Sequence, residues 1–328
     1  MQKQIFQYHP VIGYTFIPNI KARIQHNGGG YLIKTNNIGF RDNRDFSLNK
    51  NSNRGRILVF GDSYTAGDGV SNGSRYTEIL EQSLSGPELY NFGLPASGTD
   101  QQYLVFKEFV KDAEYDLIII SVLVENITRV ASRYKLYKSS SGENMIMEKP
   151  YFMVEKDKPI QLFHNPVSKE PKNIKEIPKN EIKYVHGLGK NKPIYYLKKL
   201  GGKQLINILK KFYKYNHYTQ YNNPNNISWQ TMKAILKSWA KEVQTPVIIC
   251  PIPTHYHYEE TDFANYYQTR FQELYDPPHI IIHDPLDDYL KVTKSKRRSL
   301  RFATDVHPTK LQHELLSQSL HKIVSSYF

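Results

Sequence analysis

The chain has 328 residues, of which 39% are hydrophobic, and it carries a formal net charge of +13. This length suffices for a full α/β core with an appendage, and the single cysteine, Cys250, excludes an internal disulfide framework and a cysteine-based metal site. No run approaches the ~18 consecutive apolar residues of a membrane-spanning helix, and the first residues lack the apolar core of an export signal, so we expect a cytoplasmic protein.

Most of the positive charge lies in one segment. Between Ser132 and His217 the chain has 19 Lys or Arg residues and 7 Asp or Glu residues. No zinc finger, helix-turn-helix, phosphate-binding loop or dinucleotide fingerprint accompanies this charge, so we expect no nucleic-acid partner and no cofactor. The basic segment is either a surface that attracts an anionic substrate or membrane, or a solvated lysine-rich insertion.

Residues 1–53 are predicted to form a small β-rich lead-in to the main domain. Residues 11–18 and 31–36 have the composition of short strands, and turn residues separate them, including glycines 28–30. We place the boundary at residue 53, so that residues 54–328 form the main domain.

The main domain begins with a strand that leads to a candidate nucleophile. Residues 57–60 are apolar and run directly into Gly61, Asp62 and Ser63. A short apolar run bounded by glycine indicates a strand buried on both faces of a parallel sheet. Ser63 would then lie at the carboxyl end of that strand, beside the free N–H groups of a helix N-terminus. The alternative is an ordinary Asp/Ser helix cap.

The next elements repeat this pattern. We predict a helix over 76–85, a strand over 88–92, a loop over 93–100, a helix over 101–111 and a strand over 116–124. Asn126 follows the last of these strands, where its side chain can donate a hydrogen bond. Taken alone, an asparagine at this position is also typical of a turn or a helix cap.

Residues 130–226 interrupt the alternation of strands and helices and are predicted to be an insertion or cap. Residues 151–154 and 160–163 can pair as a hairpin. The basic amphipathic stretch 190–215 would lie on a membrane surface, cover the active site, or pack as a helix on its parent domain. The sequence leaves these three possibilities open.

The sheet resumes after the insertion. We predict a helix over 228–243, a strand over 245–251, a helix over 262–274 and a strand over 279–284. This alternation predicts an α/β/α sandwich built on a flavodoxin-like, doubly wound parallel sheet with right-handed crossovers. His255 and His257 lack a carboxylate at zinc-site spacing, so we expect no metal.

A polar loop before the predicted C-terminal helix, 310–327, supplies a candidate base. Asp305 and His307 lie two residues apart in this loop. Outside a helix, the carboxylate can accept from the imidazole Nδ1–H and leave Nε2 to take a proton from a serine hydroxyl.

Together these motifs resemble the four blocks of the SGNH/GDSL hydrolase family, in the family's order. The blocks are Gly-Asp-Ser at 61–63, the loop at 91–98, Asn126, and Asp-Val-His at 305–307. The resemblance covers about residues 56–328, apart from the insertion, and the stretch 13–41 is similar to lead-in segments of bacterial members.

The resemblance implies a site. Ser63 would be the nucleophile, His307 the general base and then acid, and Asp305 the residue that orients it. The oxyanion hole would combine the Ser63 N–H, a loop N–H assigned to Gly98, and the Asn126 side chain.

Two features depart from the family's pattern. Many members place the carboxylate three residues before the histidine, where this chain has Thr304. Glycine is also common in the family where this chain has Ala96, which leaves Ala96 and Gly98 as alternative loop donors.

The resemblance implies an esterase that removes an acyl group, with acetyl favoured, from a small-molecule ester. The Tyr-rich composition and the lead-in similar to bacterial members favour an O-acylated carbohydrate as that ester. Because the family acts on sugars, lipids and thioesters, the fold does not choose the substrate. Two alternatives stay open: an acyltransferase that uses the same residues, and a non-catalytic binding protein.

Overall fold

The computed structural model describes residues 4–26, 29–50, 54–84, 86–139, 141–155, 161–162, 167–188 and 216–328. The predicted basic stretch 190–215 lies outside these residues. Among the described residues, no helix combines the length and the hydropathy needed to cross a membrane.

The N-terminal lead-in consists of two antiparallel hairpins. The first pairs β1 (Phe6–His9) with β2 (Gly13–Phe16), and the second pairs β3 (Lys21–Ile24) with β4 (Tyr31–Lys34). The sequence predicted β2 and β4 but not their partners, because β1 and β3 are short strands whose charged and polar residues give no apolar run.

The central sheet has five parallel strands, β5 (Arg56–Gly61), β6 (Glu88–Gly93), β7 (Leu117–Leu123), β14 (Val247–Ile252) and β15 (Ile280–Ile282). Their order in the sheet is β15-β14-β7-β5-β6. This is the flavodoxin-like order, so the predicted fold class is confirmed.

Helices cover both faces of this sheet because successive side chains of each buried strand point to opposite sides. The helices are α1 (Ser63–Ala66), α2 (Tyr76–Leu84), α3 (Thr99–Val105), α4 (Ile227–Glu242), α5 (His255–Tyr258), α6 (Asn265–Gln272), α7 (Leu286–Leu290) and α8 (Lys310–Val324). Leu58 and Phe60 pack in one core with α3, α4 and α6, whereas Ile57 and Val59 pack in the other with α2, α7 and α8.

The insertion contributes six short strands, β8 (Tyr134–Lys138), β9 (Asn144–Glu148), β10 (Phe152–Met153), β11 (Gln161–Leu162), β12 (Lys172–Asn173) and β13 (Val185–His186). Four of them form a separate sheet in the order β12-β9-β8-β13. The predicted hairpin is present as a short antiparallel pair, β10 with β11.

Two predicted helices differ from the observed ones. The helix predicted over 101–111 is α3 followed by a wider π-type turn, Phe106–Val110. The helix predicted from residue 262 begins later, because the Asp262 carboxylate accepts from the N–H groups of His217 and Phe263 and holds a turn there.

Candidate active site

Ser63 lies in a sharp turn at the carboxyl end of the central strand β5. The Asp62 carboxylate caps the four-residue helix α1 by accepting from the Tyr64 N–H at 3.0 Å. Gly67 ends the helix in the left-handed conformation, with φ 78°. A Cβ on Gly61 would lie only 2.0 Å from the Thr65 Oγ1, so the turn requires glycine where strand meets helix. Ser63 is 5% exposed.

The structure brings Ser63, His307 and Asp305 together as a hydrogen-bonded chain. His307 Nε2 lies 2.9 Å from Ser63 Oγ, and His307 Nδ1 lies 2.7 Å from Asp305 Oδ1. These are the distances at which an imidazole can take a serine proton while a carboxylate fixes its tautomer. The three residues predicted from the sequence therefore have the arrangement of a nucleophile, a base and its orienting acid.

The two-residue spacing of Asp305 and His307 is accommodated by a turn. Asp305 Oδ1 also accepts from the backbone N–H of His307 at 3.2 Å, so one oxygen meets both the main chain and the imidazole. The Tyr64 hydroxyl donates to the carbonyl of Val306 at 2.7 Å, which ties the turn to α1. The departure from the three-residue spacing thus does not separate the acid from the histidine.

The second oxygen of Asp305 contacts the lead-in. His26 Nε2 lies 3.2 Å from Asp305 Oδ2, so the imidazole N–H of a residue 279 positions away can donate to the carboxylate. Burial acts to raise the pKa of Asp305, but the charge of His307 and the hydrogen bonds from His26 and His307 outweigh it, and the pKa is lowered. These contacts keep the carboxylate ionised.

We expect His26→Phe to lower kcat roughly 5-fold with little change in KM, since one hydrogen bond of ~1 kcal/mol to the orienting carboxylate is lost. His26→Gln retains an N–H donor and should recover part of the loss. Steady-state kinetics on p-nitrophenyl acetate measure both variants. A phenylalanine variant with the wild-type kcat would contradict this role for His26.

Arg129 joins three segments of the site. Its guanidinium lies 2.9 Å from the carboxylates of both Asp62 and Glu125, and it donates to the carbonyl of Ser97 at 3.1 Å. These partners neighbour Ser63, Asn126 and the loop after β6 respectively. Burial acts to lower the pKa of Arg129, but the two carboxylates outweigh it, and the pKa is raised. A charged guanidinium therefore holds the nucleophile turn, the loop and the Asn126 turn together.

Asn126 lies in a 3-10 turn, Val124–Thr128, and is fully buried. Neither its Nδ2 nor its Oδ1 has a hydrogen-bond partner among the residues that the structure describes. Such a buried amide costs stability, and it is available to a ligand. The Ser63 N–H likewise has no hydrogen bond to the described part of the chain.

The structure departs from the sequence prediction for the loop donor. The Gly98 N–H donates to the Gln101 side chain at 3.3 Å, because Gly98 is the N-cap of α3. Ala96 adopts a left-handed conformation, with φ 61°, and no hydrogen bond of its N–H is found in the described ranges. Ala96 is therefore the better candidate of the two.

Arg41 supports the nucleophile turn from the lead-in. Its side chain is almost fully buried and donates to the carbonyls of Ala66, Gly67 and Val70 at 2.6–2.8 Å. These carbonyls lie at the C-terminal end of α1 and directly after it, where a cation is favourable. No group of three or more His, Cys, Asp or Glu residues within the described ranges is arranged to hold a metal ion.

Sequence reasoning missed His26, Arg41 and Arg129 as parts of the site. Each acts through contacts between segments distant in sequence, and none lies in a motif that signals the contact. The stretch 13–41, which contains His26 and Arg41, had been noted only for its similarity to lead-in segments of bacterial family members.

Comparison with protein-family models gives no match, and comparison with curated proteins gives none either. Solved structures similar to this chain include a lipolytic protein of the G-D-S-L family from Veillonella parvula (12% identity, 82% of this chain and 97% of that chain, TM-score 0.43). They also include the lipase Lip_vut3 from a goat rumen metagenome (12% identity, 83% of this chain and 98% of that chain, TM-score 0.42). A third is an acetylxylan esterase from Geobacillus stearothermophilus (12% identity, 82% of this chain and 93% of that chain, TM-score 0.43).

Proposed function

We propose that this chain is a serine esterase that removes an acyl group, acetyl in the simplest case, from an ester such as an O-acylated carbohydrate. The observation that carries the proposal is the hydrogen-bonded chain from Asp305 through His307 to Ser63. A serine hydroxyl is a weak nucleophile until an adjacent base takes its proton, and this arrangement provides the base and its orienting carboxylate.

The geometry supports the following reaction. Ser63 Oγ attacks the ester carbonyl as His307 Nε2 takes its proton, and the negative charge develops on the carbonyl oxygen. Donors to that oxygen would be the N–H groups of Ser63 and Ala96 and the Nδ2 of Asn126. His307 then gives its proton to the leaving alcohol, and water, activated by the same histidine, hydrolyses the acyl-enzyme.

Asn126 provides a sharp test of the oxyanion hole. We expect Asn126→Ala to lower kcat about 10²–10³-fold, which is typical for the loss of one such donor. Because the buried amide lacks a partner among the described residues, its removal should leave the melting temperature unchanged or raise it. Kinetics and thermal unfolding measure the two effects, with the exposed Asn225→Ala as the matched control. A variant that loses stability but not kcat would contradict the assignment.

The proposed function is tested directly with a fluorophosphonate probe and p-nitrophenyl acetate. The proposal expects turnover of the ester and covalent labelling that mass spectrometry maps to Ser63. A folded protein that shows neither would overturn the esterase proposal and favour the binding-protein alternative. Product analysis with an added sugar acceptor separates hydrolysis from acyl transfer, since transfer leaves the acyl group on the acceptor.

A further inference from the structure

A large cavity adjoins the candidate active site. It has a volume of about 1430 Å³ and lies between the lead-in strands and the insertion sheet. Ser63 and His307 do not line it, but it reaches Ala96, in the loop after β6, and Arg129, which joins three segments of the site. The volume exceeds the roughly 300–1,000 Å³ of typical small-molecule pockets, so it has room for more than one sugar ring.

The insertion sheet presents a polar face to this cavity. Lys135 on β8 pairs in register with Met147 on β9 and with His186 on β13, and all three line the cavity. The adjacent residues Leu136, Ile146 and Val185 point to the opposite face, where they form a small core. The alternation along the strands therefore holds the Lys135 side chain toward the cavity.

The cavity lining is strongly cationic. Glu148 is the only acidic residue of the lining that the structure describes. The Lys and Arg residues of the lining are Lys21, Arg23, Arg129, Lys135, Lys149 and Lys169. Arg129 is paired with Asp62 and Glu125, and Lys149 is paired with Asp100.

Lys135 differs from these two because no carboxylate in the described ranges lies within ion-pair distance of it. Its Nζ lies 5.4 Å from the centroid of the Tyr14 ring, and the Tyr14 hydroxyl donates to the carbonyl of Pro95. Burial and the nearby charge of Arg129 outweigh the opposing charge of Asp68 and lower the pKa of Lys135 to about 8, so the ammonium is still mostly protonated at neutral pH. A half-buried ammonium that has no carboxylate within ion-pair distance can take an anionic group from a ligand.

We propose that the cavity binds the acidic glycan portion of the ester substrate, with the carboxylate of a uronic-acid-type sugar against Lys135. This inference rests on the proposed esterase function and adds its substrate class. The rings of Tyr14 and Tyr137 offer flat surfaces to sugar C–H groups, and the cationic side chains select an acidic sugar. The cavity extends from Lys135 past Tyr14 to Ala96, so a sugar bound there would lie next to the loop that offers an oxyanion donor.

Binding is tested on the Ser63→Ala protein, so that no turnover occurs, with trigalacturonate and xylotriose as acidic and neutral probes. Titration calorimetry should show trigalacturonate binding at least about 10-fold more tightly than xylotriose. One charge-assisted hydrogen bond between the sugar carboxylate and the Lys135 ammonium is enough for a difference of this size. Adding Lys135→Met should remove most of this preference, whereas Lys135→Arg, which retains the charge, should keep it. Lys138→Met, an exposed lysine at the end of the same strand, is the matched control and should leave the preference unchanged. Thermal unfolding verifies that each variant folds.

Failure of this inference and failure of the esterase proposal give different results. Labelling of wild-type Ser63 by the fluorophosphonate together with equal affinity for both sugars would overturn the acidic-glycan site and leave the esterase standing. A preference for trigalacturonate without any labelling would support the site and overturn the esterase. A preference that survives Lys135→Met would refute the role of Lys135.

Discussion

Ser63→Ala is expected to lower kcat for p-nitrophenyl acetate by roughly 10⁴–10⁶-fold, the loss that removal of a serine nucleophile typically causes. The reason is chemical, because the hydroxyl that His307 Nε2 meets at 2.9 Å is the group that would form the acyl-enzyme. The methyl group of alanine fits the same space but can neither attack the carbonyl nor hold an acyl group.

The fold should survive this substitution. Ser63 lies in α1, whose cap is the Asp62 carboxylate and whose end is Gly67, and neither contact uses the serine hydroxyl. We expect a melting temperature within about 3 °C of wild type, since no more than one hydrogen bond is lost. Ser325→Ala, at an exposed serine, is the control and should keep full activity. Retention of wild-type kcat by Ser63→Ala would contradict the account.

Asp305→Asn is expected to lower kcat roughly 10³–10⁴-fold. An amide that turns its NH₂ toward His307 Nδ1 favours the wrong tautomer and no longer stabilises the imidazolium. The loss should exceed that of His26→Phe by a wide margin, because His26 acts only through this carboxylate. Asp112→Asn, at an exposed carboxylate, is the control and should have the wild-type kcat.

The pH dependence of Asp305 follows from the lowered pKa of its carboxyl. Because the folded-state pKa lies below the ordinary value, the stability that Asp305 contributes is present above that ordinary value and is lost as pH falls through the folded-state pKa. The side-chain carboxyl ¹³C NMR signal of Asp305 should therefore show an ionised group throughout the range from about pH 5 to 8. A full protonation step of that carboxyl within this range would contradict the lowered pKa.

The fold could be predicted from the sequence because the central strands are recognisable from their apolar residues alone. Each of β5, β7 and β14 is buried on both faces and therefore contains a run of at least four apolar residues. Ser63 and the Asp305–His307 pair were accessible for a related reason, since each stands in a short local motif next to a strand end or a helix start.

The remaining parts of the site depend on contacts that no local pattern records. The choice between Gly98 and Ala96 as the loop donor depends on which backbone N–H donates to the Gln101 side chain and is therefore not free for a ligand. His26 and Asp305 are in contact although 279 positions separate them in the sequence. Arg129 donates hydrogen bonds to three different segments of the chain. The placement of Lys135 requires the register of the insertion sheet, which its short and mixed strands do not reveal.

The central claim is that Ser63 carries the acyl group during turnover. The most direct measurement is intact-protein and peptide mass spectrometry on wild-type enzyme quenched in acid during the reaction with p-nitrophenyl acetate. The account predicts one added acetyl group located on the peptide that contains Ser63, absent from the Ser63→Ala protein and lost as turnover ends. Steady ester hydrolysis with an acetyl group on another residue, or with the same adduct in the Ser63→Ala protein, would contradict it.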